Sequence, residues 1–150
     1  MRVLASLALG LALGVALCSP TAAQEAGRSN FILRCAGCHT LDGSGSEAGG
    51  IPDFRNYVGA FAHTEDGRRY LMHVPGVVSA SLSDKQIADV MNYVMETWAG
   101  SSLPADYRPF TGDEVTTLRA EPVDDVVAYR RKVAADLMAQ GIETAGYPWP

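Results

Sequence analysis

Two thiols and an imidazole fall within five residues, Cys35-Ala36-Gly37-Cys38-His39, and no other stretch of the chain gathers as much reactive chemistry. The spacing C-x-x-C-H is the attachment pattern for a c-type haem. One helical turn offers both sulfurs to the two vinyl groups on one haem edge, and the next residue turns its ring under the iron. Cys35 and Cys38 are therefore read as the covalent haem thioethers and His39 as the proximal iron ligand, with one haem c as cofactor. Two other chemistries use paired cysteines. A thioredoxin-like redox pair needs a βαβ setting, and nothing here alternates strand and helix. A zinc site needs two further ligands at close spacing, and the remaining cysteine, Cys18, lies in an N-terminal leader.

That leader carries one basic residue (Arg2), no acid, and an apolar run from Val3 to Leu17. It reads as a secretory signal peptide, too short to span and stop as a membrane helix. Thr21 and Ala23 at the recognition positions predict cleavage after Ala23, which divides the chain into residues 1–23, 24–100 and 101–150. The large Leu17 before Cys18 argues against lipidation. Export to the periplasm follows, with no transmembrane segment in the mature chain. After cleavage Cys35 and Cys38 are the only thiols, and a bare pair would oxidise in an exported compartment. Haem attachment removes that hazard. Losing Arg2 takes the formal charge from −5 to −6, which argues against nucleic acid as a partner. The remaining length suits one domain, and a haem supplies apolar volume that so small a core lacks.

The elements that position the thiols come next. Gly27 to Thr40 reads as a helix ending in the Cys35–His39 motif, with Gly27 and Phe31 on one face. Ser83 to Ala99 is the clearest helix: Ser83 and Gln86 form a capping box, and Leu82 with Ile87 forms a staple. Ile87, Val90, Met91, Val94 and Trp98 draw its apolar stripe, and Gly100 supplies the stop. The pattern Gly27-x-x-x-Phe31-x-x-x-Cys35-x-x-Cys38-His39 resembles the first helix of a class I cytochrome c. The run Leu82 to Val94 is similar to the last helix of that family. The resemblance covers residues 26–100. It implies an all-α, cytochrome c-like domain around a covalent haem, in which Gly27 and Phe31 cross the last helix beside Tyr93. It also implies that Pro52, in Gly50-Ile51-Pro52-Asp53-Phe54, gives its carbonyl to His39 Nδ1–H, fixing the tautomer and raising ligand basicity.

The family usually sets a methionine directly before a proline as the distal ligand. Here Val74 stands before Pro75, and valine cannot bind iron. Three readings stay open: Met72 as a thioether ligand that raises the potential, His73 as a second imidazole that lowers it, or an open distal face. Met91 and Met95 sit at core spacing on the following helix and read as packing.

Elsewhere, Leu41 to Gly50 reads as a loop, and Asn56 to Tyr70 includes a short helix followed by a charged turn at Gly67-Arg68-Arg69. Those arginines read as a solvated edge, one of them alternatively pairing with a haem propionate. His63 reads as a surface or capping histidine. Beyond position 100, Ser101 to Arg108 is a linker containing Pro104, and Thr111 with Glu114 caps a short helix running to about Leu118. Pro122 begins a further helix that Gly141 ends. Val123, Val126, Val127, Val133, Leu137 and Met138 form its apolar face, and Arg130, Arg131 and Lys132 mostly the opposite one. This extension either packs back on the domain or docks a partner dehydrogenase or oxidase. Residues 146–150 read as loose unless Trp149 anchors them.

No catalytic nucleophile, acid–base pair or phosphate loop stands out, so the chain does not read as an enzyme. The resemblance implies a periplasmic one-electron carrier between redox proteins, a dehydrogenase and/or an oxidase, with the haem edge near Cys35 as the exit. Two rival readings are a haem-based ligand-binding or sensor protein with an open distal site, and a haem subunit of a periplasmic dehydrogenase.

Overall fold

The computed structural model describes residues 21–147; the leader's apolar run, Cys18 and the terminal Trp149 lie outside them. Helix α1 runs over Ala22–Arg34, beginning where the Thr21 hydroxyl accepts from the Gln24 N–H. This start lies upstream of the Gly27 expected from periodicity, because a threonine cap satisfies an otherwise orphaned N–H. The helix bends at Cys35 (φ −120°, ψ −36°), and a single further turn, α2 (Ala36–His39), carries the rest of the motif. A 3-10 turn (Val58–Ala62) precedes α3 (Glu65–His73) and the short α4 (Pro75–Val78).

Two readings of this middle stretch are corrected. Gly67, Arg68 and Arg69 lie inside α3, not in a turn, because Thr64 caps the helix by accepting from the Gly67 N–H at 3.0 Å. Glu65 and Asp66 then favour the positive N-terminal end. The arginines are not a solvated edge. Arg68 is 4% exposed and donates to both Glu114 oxygens at 2.6 and 2.7 Å, while Arg69 pairs with Asp66 and Glu121. His63 is exposed and follows the 3-10 turn, its Nε2 3.0 Å from the Ser102 carbonyl.

Helix α5 (Asp84–Trp98) has the full Ser83–Gln86 capping box, and Gly100 leaves it at φ +52°. α1 crosses α5 at Gly27, with Phe31 buried beneath and its ring 5.7 Å from that of Tyr93. A Cβ on Gly27 would sit 2.3 Å from the Asp89 carbonyl oxygen, so only hydrogen fits there.

The chain beyond position 100 packs back on this frame. Asn92 pins it, accepting from the Tyr107 hydroxyl and the Phe110 N–H and donating to the Phe110 carbonyl, at 2.7–2.9 Å. α6 (Gly112–Ala120) lies on α5 and α3; Thr111 accepts from the Glu114 N–H, but the Glu114 side chain turns to Arg68 instead of closing a capping box. α7 (Val126–Ala139) packs on α3. It starts at Asp125, whose carboxylate accepts from the Val127 and Ala128 N–H groups, and not at Pro122. Its inward face is Val126, Arg130, Val133 and Leu137, whereas Met138 is 67% exposed. Arg130 thus belongs to the buried face and not to the polar one.

The described residues contain helices and one isolated bridge, Ser46–Ile51, but no extended strand. None of these helices is long and apolar enough to cross a membrane.

Candidate functional site

The bend at Cys35 sets the geometry of the site. A continuous helix would carry Cys35, Cys38 and His39 around one cylinder. With the bend, Cys35 is half-buried and Cys38 exposed. Burial pushes the Cys35 thiol pKa up, and the neighbouring Cys38 adds to the shift, so it is a neutral thiol near pH 7. Among the described residues no group of three His, Cys, Asp or Glu assembles, so the thiols gain no partners of a zinc site.

Thr40 ends α2 at φ 62°, ψ 168°, a conformation costly for a residue with a Cβ. Its hydroxyl donates to the Asp42 carboxylate at 2.6 Å and meets the Ser44 hydroxyl at 2.9 Å. Those bonds stabilise the reversal that leads the chain back over His39.

His39 faces a largely apolar cavity of about 320 Å³, the lower part of the range for small-molecule and cofactor sites. Cys35 opens onto the same cavity. Residues 49–54 follow the motif around its rim, and Phe54 stacks on the His39 ring at 3.9 Å between centroids. Phe54 in turn leans on Trp98, joining the ring to the aromatic group of Phe31, Tyr93 and Trp98. Val90, Met91 and Val94 contribute from α5, Tyr70 and Leu71 from α3, and residues 74–77 from α4 and its approach. The C-terminal extension adds Val126, Arg130, Ala145 and Tyr147.

Burial lowers the His39 pKa to about 4, with the Pro52 backbone working in the opposite direction. The imidazole is therefore neutral near pH 7, the form that binds a metal. Its Nδ1 is buried and makes no hydrogen bond, so the Pro52 carbonyl lies close enough to act on the ring but short of a formed bond. A thiol and a neutral imidazole on one apolar cavity, with a second thiol one turn away, fit a covalently held porphyrin.

The structure does not bring Met72 or His73 to this cavity. Met72 is fully buried in the α3 core, and His73 Nδ1 lies 2.9 Å from the Arg69 carbonyl. Both follow from the extension of α3 through His73. Among the cavity's lining residues, His39 is the one imidazole and Met91 the one thioether. Neither Arg68 nor Arg69 lines it; the arginine that does is Arg130. Sequence reading also missed Phe54 and Tyr70. Phe54 stands two residues beyond Pro52, and Arg130 sits in helical register with Val126, Val133 and Leu137, which are the signals that would have located them.

A helical domain whose first and last helices cross at a glycine, and whose C-x-x-C-H turn opens on an apolar cavity, defines a c-type cytochrome fold. The chain is 31% identical over 132 residues to a cytochrome c-552 of Thermus thermophilus, covering 75% of this chain and 88% of that protein. It is 31% identical over 129 residues to a second cytochrome c-552 of the same species, covering 73% of this chain and 98% of that protein. No family model matches the chain. The chain belongs to the class I c-type cytochromes.

Proposed function

We propose that this protein is a periplasmic one-electron carrier with a single haem c, passing electrons between partner redox proteins such as a dehydrogenase and an oxidase. The observation that carries the reading is the shared apolar cavity of Cys35 and His39. When bound, the haem supplies a reversible one-electron iron couple. Cys35 and Cys38 hold it through thioethers, and His39 gives a neutral nitrogen to the iron. The Pro52 carbonyl lies near the ring, and a bond from Nδ1–H to it would orient His39 and raise its basicity. The low-polarity walls exclude water, and the electron exit shifts from the Cys35 edge expected from the sequence to the edge beside Cys38, the more exposed thiol. The leader, residues 1–23, directs export, and the acidic surface steers encounter with partners. Spectroelectrochemical titration of the holoprotein tests the role: a single reversible one-electron wave supports it, and an irreversible or multi-electron response refutes it.

A second reading rests on the placement of Met72 and His73 away from the cavity. It leaves the distal face open to a small ligand. Ready CO binding with a high-spin ferric spectrum supports this reading; a low-spin spectrum lost on substituting Met72 or His73 refutes it.

A further inference from the structure

The Phe54 ring stacks on the His39 imidazole with centroids 3.9 Å apart and planes 18° from parallel. Aromatic rings usually sit about 4.5–7 Å apart, so this contact is close. The backbone holds the phenyl ring in place. The Phe54 N–H donates to the Gly43 carbonyl at 2.9 Å, and the Phe54 carbonyl accepts from the Tyr57 and Val58 N–H groups, each at 3.0 Å. Its two neighbours are tied to each other, the Arg55 guanidinium donating to the Asp53 carboxylate at 2.7–3.2 Å. Trp98 leans on the ring at 6.2 Å and lies over Gly43, where a Cβ would sit 2.9 Å from the indole. The Asn56 N–H fastens the same loop to the Trp98 carbonyl at 2.8 Å. On the imidazole itself, Nδ1 is buried and unbonded, so it does not hold the ring plane.

We propose that Phe54 is the positioning residue of the proximal ligand: by stacking, it sets the plane in which the His39 imidazole meets the iron. The proposal rests on the haem reading above. Groups around a metal-bound histidine fix its ring orientation, most often through a hydrogen bond to the second nitrogen. Here the stack is the contact that is formed, and the Pro52 carbonyl stops short of a bond. The plane of an axial imidazole decides which porphyrin positions share the unpaired electron of ferric iron. Phe54 thereby selects the haem edge best coupled to a redox partner.

The test uses the full chain matured with haem, as wild type, Phe54→Leu and Phe54→Tyr. Each ferric protein is saturated with cyanide, which makes the sixth ligand the same small linear anion in all three. The proton shifts of the haem methyls then report the plane of one imidazole. F54L keeps an apolar side chain but removes the flat face, and the order or spread of the methyl shifts changes. F54Y restores the ring and with it the wild-type pattern. An F54L protein with the wild-type methyl pattern overturns the proposal, whatever happens to its melting temperature. So does an F54Y protein as altered as F54L, since an aromatic face would then not be what sets the plane. If F54L does not mature, Phe54→Met takes its place under the same criteria, a flexible side chain that fills the gap without a ring. A colourless wild-type chain overturns the haem reading and this proposal together; a red F54L protein with unaltered methyl shifts overturns this proposal alone.

Discussion

Two helical glycines should respond to alanine with opposite signs. A Cβ at Gly27 would meet the Asp89 carbonyl oxygen at 2.3 Å and Tyr93 Cβ at 3.0 Å. A carbon–oxygen contact relaxes only at about 3.3 Å, so α1 and α5 would have to part by about 1 Å along their main contact. Overpacking of that kind costs roughly 1–3 kcal/mol. Alanine returns about 1 kcal/mol through helix propensity. The balance for Gly27→Ala is a loss of up to about 2 kcal/mol. At Gly37 the same atom meets nothing within 4 Å. Gly37→Ala should therefore gain about 0.4–1 kcal/mol from the restricted unfolded chain. Guanidinium unfolding of the matured proteins, followed by helix circular dichroism, reads both. A G27A protein more stable than wild type, or destabilisation by G37A as large as by G27A, would refute the packing of α1 on α5.

Glu114→Gln removes the counter-charge from buried Arg68 and should cost about 3 kcal/mol, measured by the same unfolding assay; a loss of a few tenths would show that Arg68 is solvated. Asp66 is held below the usual carboxylate range, first by the hydrogen bond from Lys132 and then by Tyr129 and Arg69. A depressed folded pKa stabilises above the ordinary value of about 4 and is lost as pH falls below it. Melting temperature should drop across that acid window in wild type and less in Asp66→Asn; parallel profiles would contradict the tie from α3 to α7. Met72→Leu should leave the ferric absorption spectrum unchanged while costing less than about 1.5 kcal/mol, since the side chain is core and not cavity. A lost or shifted far-red band in M72L would place its sulfur on the iron.

The parts of the fold governed by local rules were legible. The Ser83–Gln86 box and the small residue at Gly27 opposite Tyr93 each state their role in the types and offsets of a few residues. What misled was polarity taken as a guide to exposure. Arg68 and Arg130 belong to the buried faces of α3 and α7 because tertiary partners receive them: Glu114 and the Phe110 ring for one, the Ala145 carbonyl and Tyr147 for the other. Neither partner is near in sequence. Helix α3 runs on through Met72 and His73 until Val74, the residue before Pro75, and so carries both side chains away from the cavity. Pro122 lost to Asp125, since a carboxylate that accepts two backbone N–H groups defines a helix start better than a fixed φ alone.

The central claim is that Cys35 and Cys38 hold one haem covalently. Mass spectrometry of the exported chain, produced with a cytochrome c maturation system and denatured in acid before measurement, tests it directly. The account predicts a mass above that of the processed polypeptide by one haem, red colour that stays with the protein, and loss of both when Cys35 and Cys38 are replaced by alanine. A colourless product with the mass of the polypeptide alone would contradict it.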